Sequence, residues 1–542
     1  MKKTILSVLS LALCFSLSAQ DEVARYFFAP EGLGDADGSS WENAAGGEYL
    51  GQTIANAEPG TEFYLMEGNY LPDATTNYWD IPEGIVIKGG YPTSMTGTDT
   101  NNNWMKGGQS VFSADLDGDG LGDNNDYAFV YFGRSDFGSK DNYYYSGWQL
   151  TEIWGITFRD GNRTGGRYEG NMVFMKHAKA DFHYCRFINN VAHGVENGAL
   201  MCWGSQLRCF DCIFRKNNTA VGGGSSFILR ARNCSSSASE ITEADREFGY
   251  FERCEFEDNI SCEIKEGTEE WGNYGGGMGL GDNAGTCYII NSTIKGSRAW
   301  NRGGGIRVSG NCSSFFISNT FVDNICVNTN GENGGEAISA GDNTYNYFVN
   351  NIIVNSAADD TYNTNRAVVH LTNNDSRGIS EGYNVIGTMV DVGSSTSTWP
   401  ATDKLSSSAS NVNTIESVFG TLKNKFKDNG GVSKTIAPTA DVSSITIEGL
   451  QEAVAKWPIE EAAKVMDLTK DQRGYTRAAT TMSGAYDANA TQPEVVEGLE
   501  NINSGKVMND GVYTILGQYI GSEIEDLPAG MYIQSGKKVI VK

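Results

Sequence analysis

Between residues 150 and 360 the apolar positions recur in short clusters, not at helical spacing. Seven pieces align: GITFRDGN from 155, YCRFINN from 184, DCIFRKN from 211, RCEFEDN from 253, NSTIKGS from 291, SNTFVDN from 318 and NNIIVNS from 350. A large apolar residue anchors each: Phe158, Phe187, Phe214, Phe256, Ile294, Phe321 or Ile353. Two residues earlier stands Ile156, Cys185, Cys212, Cys254, Ser292, Asn319 or Asn351. Three residues later most copies carry Asn190, Asn217, Asn259, Ser297, Asn324 or Ser356. The shortest anchor separation is 27 residues, with insertions in the longer repeats.

A glycine-rich element falls between the anchors, as ENGALMCWG, VGGGSSFIL, YGGGMGLGD, RGGGIRVSG and NGGEAISAG. Each passes from glycines into a short alternating run, so every repeat holds at least two short strands punctuated by turns. Such a unit cannot bury a face alone and must stack on its neighbours. Stacking sets equivalent residues about 4.8 Å apart and turns the anchors into an interior ladder. The residue two earlier shares the anchor's face of the strand, so Cys185, Cys212 and Cys254 read as small interior residues of a narrow coil. The Asn residues belong at turns, where a side-chain amide bonds backbone groups. The expected fold class is all-β, a parallel β-helix.

Composition narrows the function classes. The chain has 542 residues, 66 of them Gly, and a formal charge of -26. That charge argues against nucleic acid, which needs clustered Lys and Arg. It suits an exposed acidic surface or cation binding. Lys2 and Lys3 precede the apolar run TILSVLSLALCFSLSA, the pattern of a secretory signal peptide over residues 1–19. No later stretch is apolar and long enough to span a bilayer as a helix. Disulfides are permitted in an exported chain. The CxxC at Cys209–Cys212 has no second pair or histidine pair to complete a zinc site.

The repeat of aromatic, Asn and Gly-Gly-Gly resembles right-handed parallel β-helix proteins of the pectate-lyase-like superfold. Within it the chain looks most like the exported polymorphic outer-membrane protein and adhesin-like branch. RYFFAPEGLGDADGSSWENA (25–44) resembles that family's opening motif, and AEPGTEFYLMEGNYLP (57–72) and GIVIKGGYP (84–92) its next coils. MDLTKDQRGYTRAATTMSGAYD (466–487) resembles the segment that closes many such helices. GVYTILGQYIGSEIEDLPAGMYIQSGKKVIVK (511–542) resembles the sorting domain of the type IX secretion system. The expected organisation is a signal peptide (1–19), a β-helix (22–490), a linker (491–505) and a small β-sandwich-like tail (506–542). GSSTSTWPATDKLSSSASNVNT (393–414) reads as a loop insertion.

DLDGDGLGDNND (115–126) has the spacing of a calcium loop. Asp115, Asp117, Asp119, the Leu121 carbonyl, Asp123 and Asp126 take positions 1, 3, 5, 7, 9 and 12, and Gly120 takes position 6. Asp stands where Glu is usual, and strand-like runs flank the loop where an EF-hand has helices. Calcium would act here as a static clip; the alternative is a solvated turn. YGGGMGLGDN (274–283) occurs once and lacks the stacked copies of a calcium β-roll.

Candidate chemistry is sparse. Arg302 and Arg307 flank GGGI, Lys179 and Asp181 lie near His183, and Glu257 and Asp258 follow Phe256. Adjacent strand residues point to opposite faces, so the last two make a poor catalytic pair. Trp203, Trp271, Tyr274 and Trp300 lie beside glycine-rich turns and either form a platform or pack locally. Two functions follow. The first is a monomeric, exported or cell-surface, adhesin-like β-helix that binds polysaccharide or a host or cell-surface protein without catalysis. The alternative is a polysaccharide lyase or glycoside hydrolase on the same scaffold.

Overall fold

The computed structural model describes residues 23–72, 78–116, 129–133, 149–164, 172–196, 198–221, 224–230, 247–265, 268–272, 276–281, 285–327, 335–341, 343–355, 367–372, 375–392, 396–406, 412–439, 442–460 and 463–493, and four strands between 512 and 541. It forms two compact units, the chain to Ala490 and Thr491–Lys542.

The first unit is a parallel β-helix. One face has twelve strands, running in space from Ala45–Gly46 and Arg25–Ala29 to Arg377–Gly382. A second face begins at Gly68–Tyr70 and ends at Lys404–Ser406. A third runs from Tyr78–Ile81 to Val369–Leu371. The strand Val385–Asp391 joins the last two, pairing first with Ile352 and Ile353 and then with Val369–Leu371. A narrow fourth sheet lies between the second and third faces, as in Asn162–Thr164 and Val191–Glu196.

The anchors stack in register. Phe158 pairs with Phe187, Phe187 with Phe214, Phe214 with Phe256, Phe256 with Ile294, Ile294 with Phe321, and Phe321 with Ile353. The Phe187, Phe214 and Phe256 rings stack at centroid separations of 4.6 and 4.7 Å. The glycine-rich elements form the third face, where Leu200, Phe227, Met278, Ile306 and Ile338 align.

The column two residues before the anchors is fully buried and changes chemistry along its length. It begins at Ile156, passes through thiols at Cys185, Cys212 and Cys254 and ends as Ser292, Asn319, Asn351 and Asn384. The Ser292 amide donates to Asn319 Oδ1 (3.0 Å), Asn319 to Asn351 Oδ1 (2.9 Å) and Asn351 to Asn384 Oδ1 (2.9 Å). Every rung therefore satisfies the next, as buried polar groups require. The residue before each rung turns the corner in the left-handed region: Tyr184, Asp211, Arg253, Asn291, Ser318, Asn350 and Tyr383 have φ of 49–63°.

A second amide ladder runs at the next corner. Asn190 Nδ2 donates to Asn217 Oδ1 and Asn217 Nδ2 to Asn259 Oδ1, both at 2.9 Å. The same amides reach the Phe158 and Phe187 carbonyls one coil back. Its last rung is Asn355, which accepts from the Asn324 amide at 3.2 Å. Ser356, expected in that place, lies outside the described residues.

The coils end at Lys404–Ser406, so the low-complexity stretch supplies the last strand of the second face as well as loop. Trp399 within it packs on Phe348 at 5.3 Å between centroids. The chain then runs back along the outside. Ile415, Val418, Phe419 and Ile436 cover Val322, Ile352, Val354 and Val385 on the second face. The helix Ile447–Ala455 and Trp457 cover Tyr288, Phe315 and Tyr347 on the first. Thr446 caps that helix by accepting from Gly449 N–H at 3.0 Å.

The segment expected to close the helix lies along the corner between these two faces. Arg477 is buried and donates to Asn291 Oδ1 (2.9 Å), the Gly484 carbonyl (3.0 Å), the Lys470 carbonyl (2.9 Å) and Thr481 Oγ1 (2.6 Å). Asn291 Nδ2 donates to the Asp467 carbonyl, and Asn350 Nδ2 to that of Met482. The cover thus docks on side chains that the corner geometry leaves pointing outward. In the second unit the described strands Val512–Thr514, Tyr519–Gly521, Gly530–Gln534 and Lys537–Val541 form one antiparallel sheet.

Candidate functional site

Strands of the first face alternate strictly. In Leu150–Trp154, Lys179–His183 and Gln206–Phe210, the second and fourth residues include Ile153, Ala180, Phe182, Leu207 and Cys209, all in the interior core. The first, third and fifth therefore face outward. Those outward rows are Leu150, Lys179 and Gln206; Glu152, Asp181 and Arg208; and Trp154, His183 and Phe210.

On these three coils most of the outward side chains are half-buried. On the coil before, Val86 and Lys88 continue the Glu152 and Trp154 rows and are half-buried too, while Trp154 packs against the cluster of Tyr64, Tyr91 and Met105. On the coil after, Phe248 and Tyr250 are buried beneath the C-terminal cover. The result is a shallow trough that the C-terminal cover closes at one end. At its rim, Ile81, Glu83, Phe132, Thr151, His177 and Lys179 line a small dent of about 20 Å³.

Asp181 and Arg208 form a fork across adjacent strands, with Nε–Oδ1 at 2.7 Å and Nη2–Oδ2 at 2.5 Å. Burial holds the Asp181 carboxyl above its ordinary range, with Arg208 opposing. Trp154 Nε1 donates to Glu152 Oε2 at 3.1 Å. The His183 ring is sandwiched between Trp154 (3.7 Å) and Phe210 (4.8 Å). The rings spend their faces on one another, which leaves their edges for a ligand.

Burial, aided by Arg208 and Arg253, drives the His183 pKa down to about 3. Folded His183 thus binds fewer protons than the unfolded chain between pH 3 and 6.5. Stability should rise with pH through that window, by at most about 1.4 kcal/mol per unit. His183→Phe keeps the stack and should flatten the profile, as urea midpoints measured from pH 4 to 7 would show.

Other candidate residues are struts between coils. Glu255 is fully buried; it accepts from Arg215 Nε and Nη2 and, at 2.6 Å, from the Lys434 amide. Glu257 meets Arg215 (2.7 Å) and Lys434 (2.8 Å), whereas Asp258 meets Lys295 (3.3 Å). Glu252 is held by Tyr250 and Arg253 and accepts from the Asp467 amide at 3.3 Å. Burial raises the carboxyl pKa of Glu252 and of Glu255 against their arginine partners.

Arg307 lies on the third face, paired with Ser339, and Arg302 in the turn before it; neither reaches the trough. Trp203 is on the third face with Lys176 Nζ at 5.8 Å, and Trp300 follows a strand of the fourth sheet, so the two share no platform. Trp271 lies in the strand Thr268–Gly272, and Tyr274 falls outside the described residues. Eight cysteines, Cys209 and Cys212 among them, are buried thiols. Among the described residues no group of His, Cys, Asp and Glu could hold a metal ion.

Of the calcium-loop residues only Asp115 is described. It is buried, follows the strand Ser110–Ser113 and donates its amide to Ser113 Oγ at 3.3 Å. Asp117, Asp119, Leu121, Asp123 and Asp126 lie outside the described residues.

The sequence reading passed over Glu152, Trp154, Gln206, Arg208 and Phe210. Their signal was available: LTEIW, KADFH and QLRCF align once a third strand per coil is admitted.

No family model matches the chain, and no curated protein matches it. Among solved structures it is similar to the crystal structure of pectate lyase Pel9A, at 14% identity and a TM-score of 0.36, over 86% of this chain and 96% of that one. The strand pairing itself establishes the architecture: this chain is a parallel β-helix.

Proposed function

We propose that the protein is an exported, cell-surface β-helix that binds glycans in the trough without cleaving them. The Asp181–Arg208 fork carries this reading. Asp181 is itself buried and fixes the partly exposed Arg208 guanidinium, whose other N–H groups would donate to sugar hydroxyls. Glu152 and Lys179 extend that array, and the edges of Trp154 and Phe210 supply apolar contact. With ring faces already used, hydrogen bonds should dominate affinity.

Catalysis needs a base that can give and take a proton. Arg208 is committed to Asp181 by two bonds, so the fork serves recognition. The test is a panel of acidic and neutral polysaccharides, with and without calcium. Retention by the wild type, lost in Arg208→Ala, is expected. Unsaturated products or new reducing ends would replace binding by a lyase or hydrolase.

Export rests on the signal-like N-terminus and the sorting-like tail, and calcium on the loop spacing. In the calcium reading Asp115 anchors the clip, since it stands buried two residues after the strand Ser110–Ser113. Extracellular modules bind calcium at about 10⁻⁴–10⁻³ M, which suits a static staple. Chelation should lower the melting temperature of the wild type. Asp115→Ala with Asp119→Ala should remove that sensitivity; an unchanged wild-type curve would make the loop a turn.

A further inference from the structure

Arginines of this fold meet carboxylates by one edge. Nε and Nη2 of Arg208 bond Asp181, and those of Arg215 bond Glu255. The same two nitrogens of Arg253 bond Asp211, and those of Arg473 bond Asp471. Arg186 pairs with no carboxylate among the described residues. Its Nη2 donates to the Lys106 carbonyl at 3.1 Å, and its Nε is buried without an acceptor. Buried polar groups are normally paired, and an exception calls for an explanation. We propose that Arg186 is the centre of an anion site on the second face, separate from the trough, that takes a carboxylate or sulfate group.

The coil pattern sets its position. Cys185 and Phe187 point into the core, so Arg186 points outward, between Thr157 and Ile213 on the adjacent coils. The same row continues as Glu255, Thr293 and Thr320. There the returning chain supplies a partner at each step: the Lys434 amide for Glu255, Gln472 for Thr293 and the Ala485 amide for Thr320. Arg186 stands two coils ahead of the first of these contacts, where the cover makes none of them.

The turn KGGQ (106–109) passes beside the guanidinium. Gly108 has φ of 60°, and a Cβ there would lie 3.1 Å from both Arg186 Nε and Thr157 Oγ1. A side chain at that position would crowd the edge, and glycine leaves it clear. Lys106 is exposed on the same turn and adds positive charge. Glu255 cannot serve as the partner, because Arg215 and the Lys434 amide already hold it. Burial and the like charge of Arg215 work against the Arg186 guanidinium, with Glu255 opposing, so an anion here would relieve a cost. The fork of Nε–H and Nη2–H suits two oxygens of one carboxylate or sulfate. The net charge of -26 repels anions at a distance, so affinity should be weak and local.

The experiment is calorimetry on the full chain with glucuronate, inorganic sulfate and glucose, at constant ionic strength. Expected is one weak site for the two anions and none for glucose. Arg186→Gln should abolish it, and Arg186→Lys should weaken it about tenfold, since an ammonium cannot form the fork. Gly108→Ala keeps every charge and should weaken it too, which preserves the test should the Arg186 variants misfold. Tighter glucuronate would assign an acidic sugar, and tighter sulfate a sulfate ester or the free ion; either supports the site. No binding of either anion overturns it. So does binding that survives in both Arg186→Gln and Gly108→Ala. Loss in Arg208→Ala but not in Arg186→Gln would place the anion in the trough and also overturn it.

Discussion

Arg477→Met should loosen the C-terminal cover by about 3–5 kcal/mol, the cost of deleting one partner from a buried charged network. Arg477 is wholly enclosed and bonds Asn291 Oδ1, two backbone carbonyls and Thr481. Methionine fills similar space but leaves those acceptors without donors, and each buried unsatisfied group costs about 1–3 kcal/mol. Burial already works against the guanidinium, lowering its pKa to about 10, with Asp471 and Asp487 opposing. The loss should appear as early protease cleavage within 442–490, ahead of global unfolding. Lysine in place of Arg477 should rescue little, since one ammonium cannot reach four separated acceptors. Equal protection of variant and wild type would mean that Leu450, Val454 and Trp457 hold the cover without the corner latch.

Phe214→Ala should cost about 3–5 kcal/mol, the range for aromatic truncation in a packed core. Phe214 is fully buried, stacked on Phe187 and Phe256 and edge-on to Phe251 at 5.9 Å. Its removal opens a gap in the middle of a column, where neither neighbour can shift without breaking its own register. Phe321→Ala is the useful comparison, since its column neighbours are Ile294 and Ile353 and the ring meets Phe316 edge-on. It should cost less, because stacked pairs are worth about 0.5–1.5 kcal/mol beyond area. Urea denaturation of both variants gives the difference; equal losses would discount the stacking term.

The two variants probe parts of the molecule that differ in how far the sequence disclosed them. Phe158, Phe187, Phe214, Phe256, Ile294, Phe321 and Ile353 could be aligned by eye because stacking imposes one periodic constraint on every coil. The interior position of Cys185, Cys212 and Cys254 followed from period-two geometry and is what the structure shows. The Asn ladder was readable as a corner feature, though not its depth or its end at Asn355, which follows its anchor by two residues where the other rungs follow by three.

The trough was less legible. Lys179, Asp181 and His183 were noticed, but Arg208 belongs to the next coil, 27 residues from Asp181. A charge pair of that kind has no local signature; only coil length brings its members together. The latch was harder still, since Arg477 reaches Asn291 across 186 residues of chain.

The sequence by itself determined the stacking, the interior of each coil and the corners, because those recur with every turn of the solenoid and leave a periodic trace. Tertiary structure alone decided which outer rows stay accessible. That depends on where the non-repeating ends of the chain come to rest. Their docking is set by single contacts at Met105, Trp457 and Arg477, each made once and so invisible to any comparison of the chain with itself.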